Sequence, residues 1–358
     1  MSIIQKIRKN SLISQTSLLP EADVILSKDT IPTSIPALNI ALGGSLEGGL
    51  QSGITTWAGP SKHFKSMFSL IMAKGYLDKY SDGALLFYDS EFGTPIGYFD
   101  TLGIDTSRVI HSPITDVEQL KFDLMNQLSN FERTDHVIII IDSIGNLASK
   151  KEVDDALDQK STADMSRAKQ FKSLFRMVTP HLILKDIPMV VVNHTYKTME
   201  LYSRDVVSGG TGSYYSSNII FILGRQQEKE GSDLAGWNFI INVEKSRLVK
   251  EKSKIPITVK FNSGLSKWSG LMDIALEAKA VIQPSNRSYS RVNMETGEVE
   301  AKKWKLVDTD CAEFWEPILQ QKEFKEWIAD RYQVSSGSLI SDKDIDKEFE
   351  KDEQQIDV

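Results

Sequence analysis

The octet at residues 59–66, Gly-Pro-Ser-Lys-His-Phe-Lys-Ser, constrains the fold of this chain more than any other segment. A short apolar, β-branched run precedes it at residues 54–58, and apolar side chains at helical spacing, Met67, Leu70 and Ile71, follow it. A loop of this kind between a strand and a helix is typical of phosphate-binding loops, whose backbone N–H groups surround the phosphates of a nucleotide. The octet therefore predicts a phosphate-binding strand–loop–helix unit of an α/β protein. The alternative is an ordinary surface loop that binds no phosphate.

Two side chains of the octet have specific roles in such a loop. Lys65 is the candidate to reach the β- and γ-phosphate oxygens, and the Ser66 hydroxyl is the candidate ligand of Mg²⁺. We predict that the whole octet contacts the nucleotide: Gly59, Pro60, Ser61, Lys62, His63, Phe64, Lys65 and Ser66.

Phe64 departs from the general loop pattern, which has glycine at this position. Left-handed backbone geometry costs a non-glycine residue about 1–2 kcal/mol. We therefore expect the side chain to force a different backbone path and to weaken nucleotide binding without abolishing it.

The size and composition of the chain exclude several classes of protein. Its 358 residues are enough for one large domain with smaller attachments. The chain is 41% apolar and 25% charged, and no apolar stretch approaches the length needed to cross a bilayer, so we do not expect a membrane protein. The single cysteine, Cys311, cannot form an intramolecular disulfide, which predicts a reducing compartment and a cytoplasmic location.

The two ends of the chain differ in composition from the rest. Ile3, Ile4 and Ile7 stand among basic residues in a short amphipathic segment that lacks the features of a secretory signal, and we interpret it as a packing helix that contacts another subunit. Of the net charge of −7, residues 342–357 supply −5, with eight acids against three lysines. This tail is either a solvated, disordered segment or a competitor of a polyanion for basic surfaces.

Apolar runs rich in β-branched residues recur along the chain and predict its strands. They lie at residues 54–58, 84–89, 137–142, 188–192, 218–223, 238–243 and 256–261. Helical patterns separate the early runs, which favours a mostly parallel sheet covered on both faces, and the closer spacing of the last runs favours antiparallel pairing at one edge. We divide the chain into an N-terminal oligomerisation segment (1–34), a core (35–284), a small C-terminal domain (285–337) and an acidic disordered tail (338–358).

Past residue 285, the sequence contains a predicted hairpin around Met294-Glu-Thr-Gly-Glu and then several large aromatic residues. We interpret these aromatic residues as a small satellite core rather than as a stack for a ligand. They are Trp304, Trp315, Phe324 and Trp327.

Two carboxylates follow predicted strands and complement the phosphate loop. Asp142 ends the run at 137–142, where the carboxyl end of a parallel strand places it beside the loop and lets it hold the water shell of Mg²⁺. Glu91 follows the run at 84–89 and is the candidate general base that orients and deprotonates an attacking water. An exposed turn carboxylate is the alternative interpretation of Glu91.

Six segments in a fixed order resemble the RecA-type strand-exchange recombinases. They are Ala37-Leu-Asn-Ile-Ala-Leu-Gly-Gly, the octet at 59–66, Tyr88-Asp-Ser-Glu-Phe-Gly, Ile141-Asp-Ser-Ile-Gly-Asn-Leu, Val192-Asn-His and Gly209-Gly-Thr-Gly. Within that family the likeness is strongest to the branch from T-even bacteriophages, through Asn146-Leu-Ala-Ser-Lys-Lys-Glu, Lys172-Ser-Leu-Phe-Arg, Val243-Glu-Lys-Ser-Arg and the acidic C-terminal tail. The resemblance covers about residues 30–335.

The resemblance implies a RecA-like P-loop ATPase core with a short N-terminal region and a small C-terminal domain. It assigns ATP and Mg²⁺ as cofactors, gives Lys65, Ser66, Asp142 and Glu91 the roles described above, and matches Tyr98 to the aromatic residue that stacks on adenine. His194 matches the sensor of the γ-phosphate, where the bacterial pattern has glutamine. Lys245 and Arg247 match two cations that reach the γ-phosphate held by the adjacent subunit. The alternative interpretation of these two residues is that they belong to a surface strand of alternating charge.

The same resemblance places two DNA-binding loops, near residues 149–162 and 195–210. Basic residues supply phosphate contacts, aromatic residues stack on bases, and a glycine pair provides a hinge. The candidates are Lys150, Lys151, Lys197, Tyr202, Arg204, Gly209 and Gly210. A further group of cations on a helical stretch is interpreted as its solvated face: Arg167, Lys169, Lys172 and Arg176.

Together these features predict an ATP-dependent recombinase that forms helical filaments on single-stranded DNA, pairs it with homologous double-stranded DNA and exchanges strands. A recombination mediator and a single-strand-binding protein are the expected accessory partners. Three alternatives stay open: a ring-forming helicase with the same core, a filament protein that binds DNA without hydrolysing ATP, and, more distantly, a metabolite kinase.

Overall fold

The computed structural model describes residues 1–22, 29–158, 166–198 and 205–335. Tyr202, Arg204 and the acidic tail at 338–358 lie outside these ranges, as does part of the first candidate DNA-binding loop. No helix within the described ranges is both long and apolar enough to cross a membrane.

Nine strands in the described part of the chain form one sheet in the order β11-β10-β9-β8-β1-β5-β4-β2-β3. They are β1 (Gly53–Ala58), β2 (Ala84–Asp89), β3 (Val109–Pro113), β4 (Val137–Asp142), β5 (Pro188–Asn193), β8 (Ile219–Glu230), β9 (Asp233–Lys245), β10 (Lys254–Lys260) and β11 (Gly264–Leu265). Two antiparallel pairs lie outside the sheet: β6 (Thr195–Lys197) with β7 (Asp205–Val207), and β12 (Val281–Ser285) with β13 (Ser288–Arg291).

The first six strands of the sheet in chain order run parallel, and β9, β10 and β11 continue it with antiparallel pairing at one edge. This confirms the predicted mostly parallel sheet, and every predicted strand run lies in or overlaps a strand. The sequence analysis missed the opposite edge strand, β3, because its residues include His111, Ser112 and Pro113 and are only partly buried. An edge strand needs no continuous apolar run, since one side of it faces solvent.

Helices cover both faces of the sheet. They are α1 (Ile3–Asn10), α2 (Pro36–Gly43), α3 (Lys65–Lys79), α4 (Ile96–Leu102), α5 (Val117–Asn130), α6 (Lys150–Leu157), α7 (Ser166–Leu184), α8 (Thr211–Ser216), α9 (Leu271–Glu277), α10 (Ala312–Leu319) and α11 (Lys322–Tyr332). Alternate side chains of β2 divide between the two faces: Phe87 packs in the core that holds α3, and Leu86 and Tyr88 pack in the core that holds α5 and α7.

The C-terminal aromatic residues pack differently from the sequence interpretation. Trp304, Trp315 and Phe324 are buried in the same continuous core as Trp57 of the central sheet, so they do not form a separate satellite core. The predicted hairpin around Met294 is present, because Val292 and Val299 form an antiparallel bridge and the Gly297 N–H donates to the Asn293 carbonyl.

Candidate functional site

The phosphate-binding loop connects the end of β1 to the start of α3. Lys65 is the first residue of α3, and its Nζ donates to the Pro60 carbonyl at 2.8 Å, so the ammonium lies inside the loop. Only 6% of the residue is exposed, and this burial lowers the pKa of Lys65 while Glu91 and Asp142 oppose that change. Because this cation is buried, it is suited to pair with the negative charge of a polyphosphate.

Phe64 adopts the left-handed conformation, with φ +64° and ψ +15°, immediately before α3. The expectation that its side chain forces a different backbone path is therefore wrong. Its ring stacks on Phe239 of β9 at 5.2 Å and meets Phe68 edge-on at 5.3 Å. Such aromatic pairs contribute about 0.5–1.5 kcal/mol each, which is enough to offset the strain of about 1–2 kcal/mol.

Asp142 and Ser66 lie together, as the magnesium prediction requires. The Ser66 hydroxyl donates to the Asp142 carboxylate, which is 3% exposed, and the Thr94 hydroxyl lies 3.5 Å from its Oδ2. Burial raises the pKa of Asp142 to about 6, with Glu91 and Asp89 acting in the same direction.

The donor set around Asp142 fits a magnesium ion. Oδ1 of Asp142 is buried and has no hydrogen-bond partner within the described residues, which leaves one oxygen available to a cation. No group of three or more His, Cys, Asp or Glu side chains with metal-binding geometry occurs in the described ranges. Mg²⁺ commonly takes one or two carboxylates and fills its other positions with water and substrate phosphates, so Asp142 and Ser66 are sufficient protein ligands.

Glu91 is held by three donors on one oxygen. Its Oε1 accepts from the Ser143 hydroxyl at 2.6 Å, from His194 Nε2 at 3.0 Å and from Asn146 Nδ2 at 3.1 Å. The hydrogen bond from His194 is the main cause that lowers the pKa of Glu91 to about 2, and the bond from Ser143 adds to it. The carboxylate is therefore ionised and fixed in orientation.

The backbone around Glu91 is fixed by Asp89, the last residue of β2. Its Oδ1 accepts from the N–H groups of Glu91 and Phe92, and its Oδ2 accepts from His111 Nε2 at 3.1 Å. Asp89 is 4% exposed, so this turn is anchored from within the fold.

His194 follows β5 and connects Glu91 to the second candidate DNA-binding loop. A Cβ atom on Gly145 would lie 2.2 Å from His194 Cδ2, so the ring fits only because residue 145 is glycine. The His194 carbonyl accepts from the Ser208 N–H at 2.9 Å, next to the point where β6 pairs with β7. One residue thus contacts both the general-base candidate and the chain that leads to Gly209 and Gly210.

The remaining DNA-binding candidates within the described ranges lie on separate elements. Lys150 begins α6, Lys151 forms an ion pair with Asp155 one turn later, and Lys197 ends β6 at an exposed position. Gly209 and Gly210 both have positive φ, at +89° and +77°, which suits a hinge. Tyr98 lies on α4 with 41% of its surface exposed.

Lys245 and Arg247 lie at the opposite end of the sheet from the phosphate loop. Lys245 ends β9 and pairs with Ile220 near the start of β8, and its Nζ donates to the carbonyls of Tyr214 and Tyr215 at 2.8 and 3.1 Å. Burial lowers the pKa of Lys245, and Arg247 lowers it further. Within one copy of the chain, these two cations do not join the site around Lys65.

Sequence reasoning missed several side chains that support the site. Phe239 and Arg225, on β9 and β8, contact the loop through the Phe64 ring and through the Lys62 carbonyl, which Arg225 Nη1 approaches to 3.3 Å. Ser143 and Asn146 contact Glu91. Ser143 and Asn146 lie in the segment at residues 141–147, which is one of those that resemble the family. That resemblance is the only sequence signal that could have identified them.

A phosphate loop after β1, carboxylates after the neighbouring strands β2 and β4, and a polar residue after β5 define the class of P-loop nucleotide-binding proteins. The model of the RecA N-terminal domain matches residues 3–266, and the model described as Bacteriophage T4, Recombination and repair protein, C-terminal domain, matches residues 268–328. The chain belongs to the RecA family.

Individual relatives agree with this assignment. The chain is 47% identical over 347 residues to the "Recombination and repair protein" of Enterobacteria phage T4, which covers 96% of this chain and 88% of the relative. It is 24% identical over 334 residues to "Protein RecA" of Trichormus variabilis, which covers 92% of this chain and 87% of the relative. The resemblance to the RecA-type recombinases and to their T-even phage branch is confirmed.

Proposed function

We propose that this chain is an ATP-dependent homologous recombinase that forms helical filaments on single-stranded DNA and catalyses homologous pairing and strand exchange. The observation that carries the proposal is a continuous series of contacts across the site. It runs from Ser66 to Asp142, through the adjacent Ser143 to Glu91 and His194, and ends at Ser208. These contacts connect the proposed triphosphate site to a candidate DNA-binding loop. Family membership and the printed names of the relatives support the same function.

The nucleotide site uses the octet at 59–66 for the phosphates and Tyr98 for the base. Asp142 and Ser66 would hold Mg²⁺, and the ion would neutralise charge on the β- and γ-phosphates. Lys65, buried at the start of α3, would bind the same oxygens through its ammonium group.

Glu91 acts as the general base. With its pKa held near 2 by His194 and Ser143, the carboxylate accepts a hydrogen bond from water but is weakly basic in this arrangement. A γ-phosphate oxygen competes for the His194 N–H, and loss of that bond raises the basicity of Glu91. His194 therefore both senses the γ-phosphate and activates the base.

The same movement of His194 reaches the DNA-binding loop. Its carbonyl is bonded to Ser208, and Gly209 and Gly210 follow directly. A shift of His194 toward the γ-phosphate changes the path of this segment and orders its DNA contacts, which is an order–disorder switch of the kind that nucleotides control.

Filament assembly completes the site. Because Lys245 and Arg247 lie at the far end of the sheet from their own phosphate loop, they serve the γ-phosphate bound by the adjacent copy, as arginine fingers do. Helix α1 supplies an assembly surface, since Ile3, Ile4 and Ile7 are 55–68% exposed.

Strand exchange by the purified protein, with linear duplex and homologous circular single strands, tests this function directly. We expect joint molecules only with ATP and Mg²⁺, and phosphate release that single-stranded DNA stimulates. Lys65→Ala should abolish both reactions, whereas Lys74→Ala, which removes a surface ion pair on the same helix, should leave them intact. Closed hexamers in electron micrographs, with no joint molecules, would favour the helicase alternative.

Glu91→Gln separates binding from hydrolysis. The variant should retain ATP-dependent binding of single-stranded DNA and hydrolyse ATP about 10²–10⁴-fold more slowly, the usual contribution of a general base. Glu326→Gln, at an exposed helix position, is the matched control. Full turnover by Glu91→Gln would remove Glu91 as the base.

A further inference from the structure

Arg167, which the sequence assigns to a solvated helix face, is instead bonded to the backbone beside the catalytic cluster. Its Nε donates to the Leu147 carbonyl at 2.6 Å, and its Nη2 donates to the carbonyls of Ile144 and Gly145 at 3.0 and 2.6 Å. The guanidinium also lies 5.3 Å from the centre of the Phe171 ring. One side chain therefore fixes three carbonyls within four consecutive residues.

The segment at 144–147 carries two of the contacts that define the site. Asn146 donates to Glu91, and Gly145 makes room for the His194 ring. A movement of this segment therefore changes both the orientation of the general base and the position of the γ-phosphate sensor.

Arg167 also connects the chain before the first candidate DNA-binding loop to the helix that follows it. It is the second residue of α7, and the carbonyls that it binds lie just before α6. The hydroxyls of Ser149 and Ser166 lie 2.6 Å apart at the same place. The described residues on the two sides of the loop thus meet at one hydrogen-bonded junction.

We propose that Arg167 is a positioning residue that transmits DNA binding at Lys150 and Lys151 of α6 to Glu91 through the backbone of residues 144–147 and Asn146. The proposal rests on the function proposed above and deepens its regulation. DNA that moves the start of α6 or α7 moves the guanidinium, and with it the donors around Glu91.

The environment of Arg167 argues against a direct contact with DNA. Three of its five N–H groups are used by carbonyls, and the residue is only partly exposed. Lys172 and Arg176 on the same helix are exposed and so have the accessibility that a phosphate contact needs.

The test compares Arg167→Ala with Lys169→Ala, its neighbour on the exposed face. Phosphate release is measured with and without single-stranded DNA, and DNA affinity is measured at several salt concentrations. Arg167→Ala should lower the DNA-stimulated kcat by roughly 10- to 100-fold, as misplacement of a catalytic group does, with the KM for ATP and the DNA affinity within about twofold of wild type. Lys169→Ala should keep the stimulation.

Two further variants test how Arg167 acts. Arg167→Lys tests the need for the planar guanidinium group, and a double variant tests the route through Asn146. Lysine keeps the charge but lacks the planar fork, so stimulation should return only in part. Because Arg167 acts through Asn146, Arg167→Ala combined with Asn146→Ala should be no slower than the slower single variant. Multiplicative losses would overturn the route through Asn146.

Three further outcomes would overturn the proposal. If Arg167→Ala keeps the wild-type stimulation, Arg167 does not transmit DNA binding. If it weakens DNA binding and lowers the salt slope by about one, Arg167 is a phosphate contact. If Arg167→Ala lowers the melting temperature and all activities together, its role is only structural. Absence of DNA stimulation in the wild type would instead refute the proposed function, and the transmission with it.

Discussion

At the scale of single residues, this site contains groups held in energetically unfavourable states that the surrounding fold compensates. Phe64 has left-handed backbone geometry, Lys65 is a buried cation, and Asp142 is a buried carboxylate whose pKa is raised to about 6. Each contacts a specific neighbour. The Phe239 ring stacks on Phe64, the Pro60 carbonyl accepts a hydrogen bond from Lys65, and the Ser66 hydroxyl donates one to Asp142. Functional sites commonly contain such strain and such pKa shifts.

Phe239 should position the phosphate loop by supporting Phe64. Phe239→Leu removes the stacked ring while Phe64 keeps its strain, so we expect a several-fold higher KM for ATP. In Phe239→Leu combined with Phe64→Gly, the strain is absent and the KM should return toward the wild-type value. Phe261→Leu, at a residue 58% exposed, is the control. Equal KM values in the single and double variants would show that the ring does not support the loop.

Asp142 should make Mg²⁺ binding depend on pH in a defined window. Its carboxyl pKa in the folded protein, about 6, lies above the ordinary value of 3.8, so the ionised form destabilises the fold at neutral pH, and this destabilisation is lost progressively as the pH falls from about 6 to 3.8. The same protonation removes the ligand, so Mg²⁺-dependent nucleotide binding should weaken below pH 6.

Asp142→Asn tests both effects together. The variant should melt a few degrees higher than wild type at pH 7.5 without nucleotide, because no buried charge remains, and it should lose Mg²⁺-dependent nucleotide binding. Melting curves and titrations with a fluorescent nucleotide measure these properties. A variant that melts lower, or that binds Mg²⁺–nucleotide normally, would contradict the assignment.

At the scale of elements, the parallel strands bring together residues that are far apart in the sequence. The carboxyl ends of β1, β2, β4 and β5 place Lys65, Glu91, Asp142 and His194 at one edge. The loops after β4 and β5 then connect this edge to the candidate DNA-binding segments. We therefore expect nucleotide and DNA binding to be coupled, because the same strand ends support both.

Gly210 should act as the hinge of the second DNA-binding loop. Its φ of +77° and ψ of −173° are accessible in practice only to glycine, so Gly210→Ala should distort the loop. We expect normal ATP affinity but roughly a 5- to 150-fold loss of DNA-stimulated hydrolysis, which corresponds to about 1–3 kcal/mol of strain. Gly231→Ala, with φ +66° at the open turn after β8, controls for strain elsewhere. Unchanged stimulation in Gly210→Ala would exclude the hinge.

Most of the sheet and part of the site could be predicted from the sequence. Buried parallel strands such as β4 have continuous apolar runs, and the octet has a recognisable order of residue types. The edge strand β3, the left-handed Phe64 and the bonds of Arg167 could not be predicted. Each depends on a partner distant in sequence: β2 for β3, Phe239 for Phe64, and the carbonyls of 144–147 for Arg167.

At the scale of the whole molecule, the two proposed parts of the ATPase site lie at opposite ends of the sheet. Within one copy of the chain they therefore do not come together. Lys65 lies at one end of the sheet, and Lys245 and Arg247 lie at the other end. In the proposed assembly, a head-to-tail contact between copies would join the two parts, and repetition of such a contact would produce a helical filament. Hydrolysis should therefore require neighbouring copies.

Mixing two inactive variants tests this central claim most directly. Lys65→Ala lacks the phosphate-binding cation, and Arg247→Ala, at an exposed position, lacks the cation offered to the neighbour. In an equimolar mixture on single-stranded DNA, roughly a quarter of the contacts between copies combine an intact Lys65 with an intact Arg247. We predict that the mixture regains about that fraction of wild-type ATP hydrolysis, whereas activity no greater than the average of the two separate variants would contradict a site shared between copies.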